Sequence, residues 1–267
     1  SSDVCSSDLG RRWRSLWKLY DDLIEGIPKD ILVEDMVVGQ YNSLVKSSVG
    51  SGIGLVYYDE SRPPDFVKEF KGRALYEVAK CIKSWNLTEA GIGLAAINSY
   101  YNQKVQNKSV NLEEIKHPLI SMIDDSSKKI AIVEGSMENK NKIKSKYDVD
   151  FFSRKMEEGD YSIVAYNYLI ENYDTTYLGG NLIINKHLIK IAEDSHSKES
   201  IICDISTPLS LDFSLLGIKN IGGFIIEDVD KCLNLVKLNA SYDEIAKTGT
   251  MMKIVGSKGD KISGKKC

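Results

Sequence analysis

The sequence predicts an α/β protein in two parts: an α+β first half and a Rossmann-like second half built on a parallel sheet. In the first half, short half-apolar strands follow one another closely between helical patterns. Neighbours of this kind usually pair as an antiparallel meander. In the second half, continuous apolar runs alternate with helical stretches, which is typical of parallel strands that helices cover on both faces.

The composition excludes several classes of protein. Hydrophobic residues make up 42% and charged residues 27% of the 267 residues, which is the balance of a globular chain. No apolar run reaches the roughly 18 residues of a membrane-spanning helix. The 35 basic and 38 acidic residues give a net charge of −3, which offers no basic field for nucleic acid. We therefore expect neither a membrane nor a nucleic acid as partner.

The two ends of the sequence are expected to lie outside the fold. Residues 3–9 match one reading frame of a common sequencing-library adapter, so we interpret residues 1–9 as a translated artefact. Residues 257–267 are rich in glycine, serine and lysine, and we predict a flexible tail there. The cysteines are scattered and form no C-x-x-C pair, which indicates a reducing compartment and hence the cytoplasm.

Residues 10–110 are predicted to form the first domain. Apolar residues recur at helical spacing early in this segment, and Pro28 ends that helix. In chain order, the expected elements are a helix over 11–25, strands over 31–38, 42–48 and 52–58, and helices over 74–85 and 87–101. The first helix carries Trp13, Trp17 and Tyr20, which would form the subunit face if the chain is an oligomeric scaffold.

Residues 111–256 are predicted to form the second domain, with the boundary between about 103 and 128. The expected strands cover residues 130–133, 149–152, 175–178, 200–205 and 221–226. The expected helices cover residues 112–125, 137–146, 161–172, 182–194, 209–216 and 228–237. In a parallel sheet of this kind, ligands bind beyond the carboxyl ends of the strands.

Two turns at strand ends carry the features of a ligand site. Gly179, Gly180 and Asn181 follow one predicted strand, and glycine there permits close approach of a ligand to the backbone. Ser206 and Thr207 follow the next strand. Both turns are equally compatible with ordinary helix caps. No G-x-G-x-x-G follows the first parallel strand, so we expect no dinucleotide cofactor.

Several motifs resemble the heavy-metal chelation family, which is catalogued as a domain of unknown function. Residues 89–98 read EAGIGLAAIN, similar to the E-A-x-I-G-x-A-A-x-N helix of that family. Residues 180–186 are similar to its G-x-x-L-x-N-x turn, and residues 206–208 to its S-T-P turn. The resemblance covers about residues 12–255. It implies an enolase-N-terminal-like domain, then a Rossmann-like domain, with a metal or metal complex bound in the cleft between them.

This resemblance implies a cleft lined from both domains. The candidate ligand-binding residues are Glu89, Asn98, Gly179, Gly180, Asn181, Asn185, Ser206, Thr207 and Gly222. If the Asn98 amide is buried among its apolar neighbours without a hydrogen-bond partner, it costs folding free energy. We therefore expect the amide either to brace the backbone, by hydrogen bonds to backbone groups, or to face the cleft. Glu89 could equally serve the helix itself, as a negative charge near the helix N-terminus, with Asn86 or Thr88 as the N-cap.

The candidate metal ligands lie near predicted carboxyl ends of strands. They are His187, Asp160, Asp204 and Glu134. The other histidines, His117 and His196, show no ligand spacing with a further His or Cys, so we expect no structural zinc site. Cys203 is expected to face the packing of the sheet. The sequence therefore predicts a mixed oxygen and nitrogen site for a divalent or heavy metal ion, and not a thiolate cage.

Three functions stay open at this point. The first is binding of a heavy metal or metal complex in the interdomain cleft. The second is an enzyme that acts on a small anionic metabolite held by the two helix N-termini, although no Ser/His/Asp order names a reaction or a catalytic residue. The third is a non-catalytic oligomeric scaffold.

Overall fold

The computed structural model describes six segments of the chain and one isolated residue. They are residues 17–57, 63, 70–104, 110–123, 129–135, 140–194 and 199–257. The interpretation of residues 1–9 as an artefact and the role of Trp13 lie outside the described residues. Of the tail predicted over 257–267, Ser257 belongs to a strand, and the rest lies outside the described residues.

The first half forms a three-stranded antiparallel sheet with helices. Its elements are helix α1 (17–25), strands β1 (Val33–Val38), β2 (Asn42–Ser47) and β3 (Ser51–Leu55), helix α2 (Leu75–Ala79), a 3-10 turn (Lys80–Lys83) and helix α3 (Leu87–Tyr101). The strands pair in the order β1-β2-β3, each antiparallel to its neighbour. The predicted meander is therefore confirmed.

Helix α3 lies directly on β3 because glycines face each other across the contact. A β-carbon on Gly54 would lie 1.9 Å from the carbonyl oxygen of Gly91. A β-carbon on Gly91 would lie 2.0 Å from the carbonyl oxygen of Leu55. Only glycine permits backbones to approach so closely. At the start of α3, the side chain of Asn86 accepts the backbone N–H of Glu89 at 2.9 Å, which caps the helix.

The second half is a mixed eight-stranded sheet, most of it parallel. Its elements are β4 (Val110–Glu114), α4 (Pro118–Met122), β5 (Lys129–Val133), α5 (Lys140–Lys144), β6 (Asp148–Ser153), β7 (Tyr161–Ser162), α6 (Tyr166–Leu169), β8 (Thr175–Leu178), α7 (Asn181–Ile184), α8 (His187–Asp194), β9 (Glu199–Cys203), β10 (Asn220–Ile226), α9 (Val229–Lys237), α10 (Tyr242–Ala246) and β11 (Gly249–Ser257). The strand order is β4-β11-β10-β9-β8-β5-β6-β7, in a sheet separate from the first. The neighbouring strands from β10 across the sheet to β7 are parallel to one another. β11 pairs antiparallel with both of its neighbours, β10 and β4.

The order of the parallel strands reverses at β5. From β5 the chain adds β6 and β7 on one side, and then returns to add β8, β9 and β10 on the other. The carboxyl ends of β5 and β8 therefore flank a topological switch point, the place where open parallel sheets bind ligands. All five predicted parallel strands belong to this sheet, as expected.

The prediction missed two antiparallel strands. β4 occupies the start of the predicted helix over 112–125, and among the described residues of that range only Pro118–Met122 are helical. That helix is therefore wrong in its first part. Its residues pair instead with β11, for which the sequence predicted no element. A pairing between segments more than a hundred residues apart leaves little local pattern, especially where polar residues face solvent.

Other predicted helices are shorter or interrupted. The helix over 182–194 is broken into α7 and α8 because Lys186 adopts a positive φ of 64°. The range 161–172 begins as β7 and continues as 3-10 turns on either side of α6. The range 209–216 holds a 3-10 helix over Leu211–Leu216. Periodicity predicts such segments as helical but does not distinguish these local breaks.

One hydrophobic core runs through both halves and includes fully buried Leu94 and Val133. Tyr20 is also fully buried, and its hydroxyl donates to the carbonyl oxygen of Ile183 at 2.8 Å. The predicted subunit face is therefore wrong for Tyr20, because this ring belongs to the seam between the halves. The ring of Trp17 packs against Tyr20 with a centroid distance of 5.4 Å. Within the described ranges, no helix combines the length and apolar character needed to cross a membrane.

Candidate functional site

Asn98 on α3 joins the two halves at the carboxyl edge of the parallel strands. Its Nδ2 donates to the carbonyl oxygen of Ile53 at 2.6 Å and to that of Ser206 at 2.8 Å. Of the two roles predicted for Asn98, this geometry supports the brace. The helix predicted to close this edge of the sheet therefore lies directly against it.

Asn102, one turn further along α3, makes a second and larger brace. Its Nδ2 donates to the carbonyl oxygens of Thr207 at 2.9 Å and Phe224 at 3.1 Å. Its Oδ1 accepts the backbone N–H of Leu209 at 2.8 Å. One buried side chain therefore satisfies three backbone groups of the other half. These buried bonds hold the end of α3 against the other half.

The turns after β8 and β9 touch each other. The backbone N–H groups of Gly180 and Ser206 both approach the carboxylate of Asp204 at 3.4 Å. A β-carbon on Gly180 would lie 2.2 Å from Ser206 Oγ, so glycine is required where the turns meet. Burial raises the pKa of the Asp204 carboxyl to about 6. The structure thus brings the two predicted ligand turns together.

Glu134 follows β5 at the switch point in a strained backbone conformation, with a φ of 52°. A β-carbon on Gly179 would lie 1.9 Å from the Glu134 carbonyl oxygen, so the backbone directly after β8 is in close contact with Glu134. The Glu134 carboxylate accepts the backbone N–H of Arg154 at 2.6 Å and lies 3.6 Å from its Nε. Such outliers concentrate at functional sites. Here the strained turn aims a carboxylate at the end of β6.

Arg154 stands between the halves over an aromatic ring. Its guanidinium lies 4.8 Å from the ring centre of Tyr57, which follows β3 in the first half. The Thr88 hydroxyl on α3 donates to the carbonyl oxygen of Tyr57 at 3.2 Å, which fixes the position of the ring. Burial, with Glu134 nearby, raises the pKa of the Tyr57 hydroxyl. The hydroxyl therefore stays protonated beside the guanidinium at neutral pH.

His187 begins α8 and joins the same group. Its backbone N–H donates to Asn185 Oδ1 at 3.0 Å. The residue is exposed to solvent, yet nearby protein atoms and then the charge of Arg154 lower the pKa of the imidazole, against an opposing effect of Glu134. The ring is therefore neutral at pH 7, the state in which a nitrogen can coordinate a metal ion. Tyr57, Glu134, Arg154 and His187 form what we call the cleft cluster.

The four predicted metal ligands do not form one coordination group. Within the described ranges, no three His, Cys, Asp or Glu side chains come together so that they could hold a metal ion. Asp160 is engaged elsewhere: its Oδ2 accepts Lys140 Nζ at 2.7 Å and the backbone N–H of Glu157 at 3.1 Å. His117 is exposed, and His196 lies outside the described residues.

Cys203 is buried against the sheet, as predicted, with 2% of its surface exposed. Gly222 lies beside it within β10, where a β-carbon would be 2.5 Å from Cys203 Sγ and 2.9 Å from Met122 Sδ. Glycine at 222 therefore serves close packing inside the sheet. Asn181 Oδ1 and Asn185 Nδ2 lie after β8 and have no hydrogen-bond partner in the part of the chain that the structure describes.

Lys186 links the turn between α7 and α8 to the first half. Its Nζ donates to the carbonyl oxygen of Ser84 and lies 5.5 Å from the ring centre of Trp85. The Ser84 hydroxyl donates in turn to the carboxylate of the predicted site residue Glu89, which is 3% exposed. Burial lowers the pKa of the Lys186 ammonium to about 8.

The depressed pKa of Lys186 predicts a pH dependence of stability. Between about pH 8 and 10.5 Lys186 is protonated more in the unfolded state than in the folded state, so its own contribution to stability should rise with pH in that window. Lys186→Met should remove about 2 kcal/mol of this rise. Urea unfolding at pH 7.5 and 10 measures it. Lys190→Met, on an exposed position of α8, is the control, and equal slopes in both variants would contradict the assignment.

Sequence reasoning missed three residues of this site: Tyr57, Arg154 and Lys186. Arg154 offered a signal, because a charged residue directly after the apolar end of β6 belongs to the edge where ligands bind. Tyr57 offered none, since its position over Arg154 depends on how the two halves dock. Lys186 offered no signal either, because the sequence pattern does not predict the positive φ that turns this residue toward Ser84.

Both halves of the chain match family models with the same description. Residues 20–101 match DUF4213 and residues 118–255 match DUF364, each described as "Putative heavy-metal chelation". The chain belongs to this family. The resemblance carried by the sequence motifs is therefore confirmed. No curated protein matches the chain.

Two solved structures of the DUF364 family, both of proteins with unknown function, are similar along most of their length. One, from Desulfitobacterium hafniense DCB-2, has a TM-score of 0.79 and 29% identity over 91% of this chain and 98% of its own. The other, from Pyrococcus horikoshii, has a TM-score of 0.74 and 21% identity over 90% of this chain and 99% of its own. The similarity extends over both halves.

Proposed function

We propose that this heavy-metal chelation family member binds a small anionic metal complex in the cleft between its halves. The proposal is supported by Arg154, which lies over Tyr57 between the halves and whose charge lowers the pKa of the His187 imidazole. A neutral, solvent-accessible imidazole offers one nitrogen to a metal ion. A guanidinium recognises carboxylate or phosphate groups in a planar, two-bonded geometry.

A complex suits this cleft better than a bare ion. The described residues supply fewer than three His, Cys, Asp or Glu donors at any one place, whereas a tightly held transition metal commonly takes about four ligands. The positive charges of Arg154 and Lys186 also disfavour an uncompensated cation. A chelator that brings its own oxygen donors fills the missing positions, and its negative charge satisfies Arg154. Glu134 stays as a candidate carboxylate ligand in this proposal.

The domain division belongs to the same proposal. We assign residues 10–110 to an enolase-N-terminal-like domain and residues 111–256 to a Rossmann-like domain. The two family matches fall on either side of this boundary, which supports it. The strand order β7-β6-β5-β8-β9-β10 corresponds to the doubly wound arrangement of Rossmann folds, which supports the second assignment.

Calorimetric titration tests the proposal with three probes: Co²⁺ alone, citrate alone and the Co²⁺–citrate complex. We expect the complex to bind most tightly. His187→Ala should weaken binding of the complex about tenfold and leave citrate unaffected. Arg154→Lys keeps the charge but loses the planar fork, and should weaken binding of both citrate and the complex. His117→Ala removes an exposed imidazole that follows β4, the edge strand farthest from β6 and β7, and is the matched control.

Two outcomes would contradict the proposal in distinguishable ways. The first outcome is that citrate binds with the same affinity with and without Co²⁺, and that His187→Ala does not change this affinity. That result would favour the alternative function, an enzyme that acts on a small anionic metabolite. Tight binding of Co²⁺ alone would instead show that protein side chains complete the coordination sphere.

A further inference from the structure

The turn after β9 places a buried carboxylate among oxygen atoms that lack partners. Asp204 is 3% exposed, and Asn98, Ser206 and Thr207 are fully buried. As far as the described residues go, Asn98 Oδ1, Ser206 Oγ and Thr207 Oγ1 have no hydrogen-bond partner. Buried polar atoms are normally paired, and several unpaired ones in a single turn need an explanation.

Two of these groups, the Asp204 carboxylate and the Ser206 hydroxyl, lie beside Gly180, on the side where a side chain is missing. The position of a β-carbon on Gly180 is 2.2 Å from Ser206 Oγ and 3.4 Å from Asp204 Cγ. The amide of Asn98 lies on the same turn, because its Nδ2 donates to the Ser206 carbonyl oxygen at 2.8 Å. A carboxylate and a hydroxyl therefore share one small region between the halves, and the amide group of Asn98 contacts the same turn.

The charge of Asp204 is not balanced by a basic side chain. Its hydrogen bonds come from the backbone N–H groups of Gly180, Ile205 and Ser206, and no lysine, arginine or histidine of the described ranges forms an ion pair with it. A buried charge is costly unless an opposite charge compensates it. The turn therefore lacks one positive charge and offers unused oxygen lone pairs.

We propose that this turn binds an alkali metal ion, Na⁺ or K⁺, through oxygen atoms of Asp204, Ser206 and Asn98. One positive charge matches the single carboxylate, and hard oxygen donors suit a hard cation. Mg²⁺ dehydrates reluctantly and demands octahedral geometry, and Ca²⁺ usually takes more carboxylates than one. The ion ties the turn after β9 to α3 and so strengthens the seam between the halves. This site does not depend on the cleft cluster or on its proposed ligand.

Melting temperatures in NaCl, KCl and choline chloride at equal concentration test the site. An ion that binds only the folded chain raises the melting temperature, by about 3 °C at roughly ten times its dissociation constant. We expect Na⁺ or K⁺ to give this rise over choline in the wild type. Ser206→Ala should lose the difference between the salts. Ser43→Ala is the matched control, because Ser43 is a buried serine in β2 whose hydroxyl already donates to the Gly54 carbonyl oxygen at 3.2 Å.

Equal wild-type melting temperatures in the three salts would overturn the proposal without reliance on any variant. So would a full salt difference that persists in Ser206→Ala. Arg154→Lys should keep the alkali-ion effect even though it weakens binding at the cleft cluster, so the two proposals fail separately.

Discussion

Replacement of Asn102 by alanine is expected to lower the free energy of unfolding by about 4 kcal/mol, because it leaves three buried backbone groups unpaired. The groups are the carbonyl oxygens of Thr207 and Phe224 and the N–H of Leu209. Water cannot easily replace the lost bonds, since Asn102 is only 2% exposed. Urea unfolding followed by far-ultraviolet circular dichroism measures the change.

The control for this variant is Asn234→Ala, at an exposed position of α9, which should change stability by less than about 0.5 kcal/mol. A loss below about 1 kcal/mol in Asn102→Ala would show that the seam between the halves does not depend on this brace. Separate unfolding transitions for the two halves in the variant would support the brace, because the halves would then have lost their coupling.

Replacement of Gly54 by alanine is expected to cost about 3 kcal/mol or more, or to prevent folding. The added methyl group would lie 1.9 Å from the carbonyl oxygen of Gly91, and neither backbone can move without parting α3 from β3. Since α3 carries both braces, displacement of this helix should also weaken ligand binding in the cleft. Thermal and urea unfolding measure the effect on stability.

Gly72→Ala provides the comparison that separates crowding from backbone strain. Gly72 has a positive φ of 79° but nothing within 4 Å of its β-carbon position. Alanine there should cost only about 1–2 kcal/mol, from the left-handed conformation alone. Equal costs at the two positions would mean that the contact between α3 and β3 is less tight than its geometry indicates.

The sequence predicted the parallel strands well because each is a continuous apolar run, a signal that needs no knowledge of its partners. The antiparallel strands β4 and β11 were missed because their identity lies in their mutual pairing across the chain. Lys186 shows the limit at a finer scale, since a single residue with positive φ splits a periodic helical pattern.

The candidate site was predictable in position but not in its chemistry. Gly180 and Ser206 follow apolar strands, and topology alone brings such turns to one edge of a sheet. Asn98 was identified as important because a buried amide must be paired, yet its partners, Ile53 and Ser206, appear only when the halves are docked. The stacking of Arg154 on Tyr57 depends on the same docking.

Anomalous diffraction at the cobalt edge, from crystals soaked with the Co²⁺–citrate complex, tests the central claim most directly. We expect one cobalt peak in the cleft, about 2.1 Å from a ring nitrogen of His187, with a citrate carboxylate within hydrogen-bonding distance of the Arg154 guanidinium. A cobalt peak that touches neither residue, or a cleft that stays without cobalt while calorimetry shows binding, would contradict the account.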